Sequence, residues 1–254
     1  MLPISDLKKE VAHIEYVISD VDDTITNSGR LLPEALAALY SIKESGRSII
    51  LLTGGSAGWA DVYIREWPVD GVIAESGALF LTRENGEIIY KTNPVITSAA
   101  KEKKDEFLKS IPQNLLSTDQ YARLYDIAID KSKLSESEKA EILKLIKDSG
   151  AFYAESSIHI NVWFSPYDKF SGLTTFFSLY YKKGIEEIKS SSIYLGDGLN
   201  DQPLFKEIPL SIGMRSVERC KEKFQYLPRY ITDGDGGYGV KEVSEILSRC
   251  LIKR

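Results

Sequence analysis

Short apolar runs alternate with amphipathic segments over the first third of the chain and again over the last third. Tyr16 to Ser19, Ser48 to Leu52 and Gly71 to Ala74 are aliphatic or β-branched runs too short for stand-alone helices, so each reads as a buried strand. Between them, Pro33 to Ser45 places Leu36, Leu39, Tyr40 and Ile42 at helical spacing. Pro33 suits a first helical turn and Gly46 is a stop. A second helix follows through about Arg65. Strand, helix, strand, helix, strand in this order predicts right-handed βαβ units and a parallel sheet.

The rhythm changes near Leu79. Ala78 to Leu81 and Glu87 to Tyr90 form a predicted hairpin with Asn85-Gly86 at its turn. Ser98 to Lys109 reads as a helix, Leu124 to Ile129 as a strand, and Ser135 to Lys147 as a helix with a serine cap and Glu138 three residues on. Ala151 to Ala154 and Ile158 to Phe164 are two further strands. These roughly 80 residues are too many for a connecting loop and predict an inserted α+β domain. The expected division is a core of residues 1–83 and 166–254 and an insertion of residues 84–165. From Asp168 the first rhythm resumes: a helix over Phe170 to Tyr181, strands at Ser192 to Leu195, Leu210 to Gly213 and Arg229 to Thr232, and a last helix from Val240 to about Leu251.

Bulk properties narrow the function classes. The 254 residues carry a formal charge of −5 with both signs interspersed, which argues against a nucleic-acid partner because that calls for a basic face. No apolar run approaches the ~20 residues that span a bilayer, and the charged stretch from Met1 to Glu15 is not a secretory signal. Cys220 and Cys250 stand far apart without metal-ligand spacing, so a reducing cytoplasm is expected and a disulfide framework is not.

Chemistry enters where the strands end. Asp20 and Asp22 follow the first strand and leave it on the same side, with Val21 pointing away. Two carboxylates together repel unless a cation or a shared proton compensates, and magnesium, which prefers hard oxygen ligands, is the natural cation. Alone, the pair also reads as a solvated acidic turn. Thr53 with Gly54 and Gly55 follows the second strand and reads singly as a tight turn. Lys169 reads singly as a surface lysine, and Gly196-Asp197-Gly198-Leu199-Asn200-Asp201 reads as a loop whose two acids suit a metal.

Taken in order, these four signals resemble the haloacid dehalogenase superfamily of phosphotransferases. Its Asp-x-Asp-x-Thr motif corresponds to Asp20 through Thr24, its strand-ending Thr to Thr53, its helix-starting Lys to Lys169, and its Gly-Asp-x-x-x-Asp to Gly196 through Asp201. The insertion resembles the larger cap of subclass IIB, which includes mannosyl-3-phosphoglycerate, trehalose-phosphate and sucrose-phosphate phosphatases and phosphomannomutases. Glu75-Ser76-Gly77-Ala78 is similar to that subclass's Glu-Asn-Gly-Ala junction, with Ser76 for Asn. The resemblance implies a Rossmann-like α/β core with a parallel sheet and a type IIB α+β cap. It implies Asp20 as nucleophile and Asp22 as acid and base. Mg2+ would be held by Asp20, the Asp22 carbonyl and Asp197, with Asp201 steadying them. Thr53, Gly54, Gly55 and Lys169 would bind phosphate. Two departures stand out: Asp23 replaces a common Gly and receives no role, and Gly55 stands where many relatives carry Arg.

The cap is expected to choose the substrate. Ser157 to Trp163 alternates strictly, so His159, Asn161 and Trp163 share one strand face; they suit sugar hydroxyls and an apolar sugar face, or else the polar outside of an ordinary sheet. Arg123, Asp126 and Asp130 are a second candidate group, for a remote anion or hydroxyl or simply for solvent. Asp233 to Gly237 imitates the start of a calcium loop but lacks the bidentate acid at the twelfth position, where Ser244 stands, so a mobile loop is expected. The expectation is a magnesium-dependent phosphoric monoester hydrolase acting on a sugar phosphate. A hexose phosphate mutase and a silent phosphosugar-binding protein are the alternatives.

Overall fold

The computed structural model describes residues 1–156 and 158–252; Ser157, the first residue of the alternating cap stretch, lies outside the described residues. The elements run β1 (Leu2–Pro3), β2 (Tyr16–Ser19), α1 (Pro33–Glu44), β3 (Ser48–Leu52), α2 (Ala57–Glu66), β4 (Gly71–Ala74), β5 (Leu79–Glu84) and β6 (Glu87–Thr92). Next come α3 (Ser98–Ser110), β7 (Ile127–Asp130), α4 (Glu136–Asp148), β8 (Phe152–Glu155) and β9 (His159–Trp163). The chain closes with α5 (Lys169–Tyr180), α6 (Ile185–Ser191), β10 (Ser192–Gly196), α7 (Gln202–Glu207), β11 (Ser211–Gly213), β12 (Tyr230–Ile231) and α8 (Gly237–Leu247).

The large sheet has the order β1-β12-β11-β10-β2-β3-β4-β5-β6, parallel from β1 to β4 and antiparallel for the β5–β6 hairpin. Both faces are covered, as a parallel sheet requires. Alternate residues of the central strands serve opposite faces. Val17, Ile49, Leu51, Val72, Ile193 and Leu195 pack with residues of α1, α2 and α8, while Ile18, Ile50, Leu52, Ile73 and Tyr194 pack on Leu173, Phe176, Phe177 and Leu204. Strand order reverses at β2, between β3 and β10. That makes the carboxyl end of β2 a topological switch point, the crevice where ligands bind in open α/β sheets.

The cap is a three-stranded antiparallel sheet, β7-β9-β8, backed by α3 and α4. Its small core joins Phe107, Ile111, Ile142 and Ile146 to Ile127, Ile129, Ile160 and Val162. The parallel-sheet core with an inserted α+β cap is therefore the observed fold. In α4, Ser135 Oγ accepts from the Glu138 N–H and the Glu138 carboxylate accepts from the Ser135 N–H, the reciprocal cap its sequence predicts.

Three expectations shift. A division at residue 84 would cut the β5–β6 hairpin, yet both strands extend the core sheet because β5 pairs along the whole of β4. Asn85 and Gly86, with φ of 52° and 86°, supply the tight turn. The strand expected from Leu124 starts only at Ile127, because the N–H groups of residues 124–126 are drawn to the Glu75 carboxylate instead of to a neighbouring strand. The last helix begins at Gly237 and ends at Leu247, shifted toward the N-terminus from the expected span.

Candidate active site

Three parallel strands deliver the core residues to one place: β2 ends before Asp20, β3 before Thr53 and β10 at Gly196, before Asp197. Lys169 arrives from the opposite direction as the first residue of α5. Asp168 caps that helix, its carboxylate accepting from the Ser171 N–H at 2.7 Å. The helix can approach because Gly77 and Gly172 touch: a Cβ on Gly77 would lie 2.6 Å from the Asp168 carbonyl oxygen, and Gly77 has φ of +118°.

Lys169 Nζ stands 2.8 Å from Asp20 Oδ1 and 2.7 Å from Asp201 Oδ1, all three groups being buried. Burial opposes the lysine's charge, but Asp20 and Asp201 outweigh it and hold it protonated above the ordinary lysine range. Asp201 accepts at both oxygens. Lys169 and the Tyr194 hydroxyl (2.6 Å) meet Oδ1, and the N–H groups of Asp197 and Gly198 (3.0 Å each) meet Oδ2. Thr24 donates to Asp197 Oδ1 at 2.9 Å.

One oxygen from each of Asp20, Asp197 and Asp201 lies within 4.8 Å of the others, the one such group among the described residues. Burial, against the pull of Lys169, pushes the Asp20 carboxyl up to about 7, with Asp201 and Asp22 adding to the rise; burial and Asp20 raise Asp197 well above the carboxylate range. Two buried acids, Asp20 and Asp201, share one lysine, and the half-buried Asp197 beside them adds a third carboxyl, so one cation faces three acids. A hard divalent cation fits this donor set. Because donors occupy both Asp201 oxygens, Asp20 and Asp197 are the side chains placed to hold it, with Asp201 bracing the loop between them.

Asp22 is half-buried, and burial first, then Asp23, raises its carboxyl. Asp23 has φ of +55°, a backbone position that glycine adopts freely and aspartate tolerates better than most. Its carboxylate accepts from the Ser28 N–H at 2.9 Å. Thr53 is fully buried, and its hydroxyl accepts from the Gly55 N–H at 2.9 Å, curling the Thr53–Gly55 turn.

The cap closes over this edge. Ser156, His159 and Asn161 face Asp20, Asp22, Gly54, Asp197, Gly198 and Asn200 across a chamber of about 10 Å³. A cavity of about 740 Å³, walled by Phe152, Tyr153, Trp163, Tyr167 and Leu199, opens beside Lys169. Another, of about 530 Å³, opens beside Asp197 toward Lys131, Arg219 and Lys223. His159 and Asn161 thus look at the acids, whereas Trp163 forms cavity wall. One of its faces is stacked on Tyr167 at 5.2 Å, and its indole N–H donates to the Tyr167 carbonyl at 3.0 Å.

Arg123 and Asp126 are not in the linings of these three spaces. Arg123 Nη1 bonds both Asp126 oxygens (3.0 and 3.1 Å) and the Gly54 carbonyl (3.0 Å), while Nε and Nη2 meet Asp119. Their charges are spent on each other and on the core. Asp130 caps the turn after β7 through the Ser132 N–H. The Asp233–Gly237 loop is tied down: Glu242 takes its first two N–H groups, Arg219 pairs with Asp235, and Asn27 bonds the Asp235 carbonyl. Sequence reasoning passed over Tyr194 and the carboxylate of Glu75. The signal available for the first was its alternation with Ile193 and Leu195 in a strand one residue short of the acidic loop.

The family description haloacid dehalogenase-like hydrolase matches residues 17–115. No curated protein matches the sequence. Among solved structures the chain is similar to protein 0175 of Thermoplasma acidophilum, with a TM-score of 0.70, 16% identity and coverage of 92% of this chain and 98% of that one. It is similar to BT1666 from Bacteroides thetaiotaomicron, a subject of work on phosphatases of the haloalkanoate (HAD) superfamily, with a TM-score of 0.63, 18% identity and coverage of 98% and 97%. It is also similar to the sucrose-phosphatase of Synechocystis sp. PCC6803, solved with sucrose and phosphate, with a TM-score of 0.64, 14% identity and coverage of 92% and 98%. At these identities the likeness establishes the fold.

Proposed function

Taking the chain as a haloacid dehalogenase-like hydrolase, we propose that it is a magnesium-dependent phosphatase of a small phosphorylated metabolite, a sugar phosphate above all. The observation that carries this reading is Asp20. It sits at the switch point of the sheet, is paired with Lys169 at 2.8 Å, and lies among acids that call for a cation.

Asp20 would attack phosphorus, forming an acyl phosphate as the ester oxygen leaves. This divides one difficult hydrolysis into two easier steps. Asp22, whose burial favours its protonated form, would give its proton to the departing alkoxide. The resulting carboxylate would then take a proton from the water that attacks phosphorus and frees Asp20. Lys169, the Thr53 hydroxyl and the Gly54 N–H would hold the equatorial oxygens, the Thr53 and Gly55 N–H groups being bound to the Ile73 carbonyl and the Thr53 hydroxyl, since phosphoryl transfer depends chiefly on positioning and charge neutralisation. Bound by Asp20, Asp197 and the Asp22 carbonyl, Mg2+ would supply the remaining positive charge. The free Cys220 and Cys250 suit a reducing cytoplasm.

The test is phosphate release by the purified chain with Mg2+ across a panel of phosphorylated sugars. Release without isomerisation of hexose phosphates is the expected result. Interconversion of 1- and 6-phosphates with little release would identify a mutase, and binding without either reaction a silent phosphosugar receptor.

A further inference from the structure

The backbone carbonyls of the Thr53–Gly55 turn are held from outside the turn. Thr53 accepts from the Ser76 N–H and Gly55 from the Glu75 N–H, each at 3.0 Å. Gly54 accepts from two cap side chains, Arg123 Nη1 at 3.0 Å and Asn161 Nδ2 at 3.2 Å. Those two are aligned by Asp126, which bonds both. Asp126 is placed in turn by Glu75, whose fully buried carboxylate gathers four backbone N–H groups. Ala57 and Leu124 donate to Oε1 at 3.0 and 2.9 Å, and Tyr125 and Asp126 to Oε2 at 2.6 and 3.0 Å.

Glu75 therefore grips the cap with its side chain and the phosphate turn with its main chain. The backbone is unusual at the same point: Glu75, Ser76 and Gly77 have consecutive φ values of 48°, 58° and 118°. Two non-glycine residues in the left-handed region persist only where their surroundings over-determine them. An ordinary domain tie needs neither this conformation nor a contact with the turn.

We infer that Glu75 is a positioning residue that joins cap docking to the phosphate turn, so that the docked cap sets the turn's affinity for phosphate. The inference rests on the proposed phosphatase reading of that turn. It extends that reading by making Arg123, Asp126 and Asn161 relays to Gly54 and not contacts for the substrate.

Inorganic phosphate, measured as a competitive inhibitor and by calorimetry with Mg2+ present, is the probe. Glu75→Gln keeps the side chain's size but turns an amide NH2 toward N–H donors. Its phosphate constant is expected to weaken about tenfold, an effect worth ~1.4 kcal/mol, with KM rising in parallel. Asn161→Ala, which removes one Gly54 donor without touching Glu75, is expected to weaken phosphate in the same direction and provides the test should Glu75→Gln fail to fold. The double variant is expected to lose little more than the worse single one, since both act through Gly54. Unchanged phosphate constants in folded variants, or fully additive losses, overturn the inference while leaving the phosphatase reading intact. A native chain that neither binds phosphate nor hydrolyses an ester overturns both.

Discussion

The core edge and the cap face each gather polar residues around one chamber or just behind its walls, but they use them differently. At the core edge, Asp20, Asp197 and Asp201 bring three carboxyl groups within 4.8 Å of one another beside the single ammonium group of Lys169. On the cap, Arg123, Asp126 and Asn161 satisfy one another and the Gly54 carbonyl, leaving His159 with Ser156 as the cap groups that look at the acids without that duty. Charge is thus left unmatched at the core edge and matched on the cap. Burial alone does not separate the two regions, since Asp20 and Asp126 are both buried; the partner set does.

The contrast can be broken most severely at Asp20. Asp20→Asn is expected to reduce turnover by roughly four orders of magnitude with the fold retained, checked by steady-state phosphate release beside circular dichroism. Activity near that of the native chain would remove the nucleophile from the core edge. Next in size is removal of the metal: a chelator is expected to abolish turnover and added Mg2+ to restore it, followed by the same assay. Lys169→Met should then cost both function and stability. It leaves two buried carboxylates without their cation, a loss of about 3–5 kcal/mol for a broken buried pair, visible in denaturant unfolding, with turnover down at least a hundredfold.

Smaller effects sharpen the cap side. Arg123→Lys is expected to raise KM about tenfold for every ester alike, because lysine cannot span Gly54, Asp119 and Asp126 together. A loss confined to one substrate would return Arg123 to the specificity residues. The smallest change is expected from His159→Ala, a few-fold rise in KM for sugar phosphates and none for p-nitrophenyl phosphate, measured as parallel kcat/KM values.

The core was legible because its information is local. Each strand's period places alternate residues on opposite faces, and each strand ends in a turn whose polar residues have nowhere to go but the carboxyl edge. A short run such as Tyr16 to Ser19 therefore located Asp20 before any contact was known. The hairpin's pairing was not legible in the same way. The β-branched and aromatic residues 88–90 suit a cap strand or a core strand equally well, and only their partner decides. Arg123 and Asp126 were likewise recognisable as notable residues but not as a mutual pair.

The sequence by itself determined the parallel core, the inserted cap and the identities of the groups at the strand ends, because hydrophobic period and turn chemistry act over a few residues. Tertiary structure alone decided that the β5–β6 hairpin belongs to the core, that Lys169 reaches Asp201 as well as Asp20, and that Glu75 ties the cap to the Thr53–Gly55 turn. Each of these depends on hydrogen bonds between segments distant in sequence, as from Glu75 to residues 124–126, and no local pattern encodes such a distance.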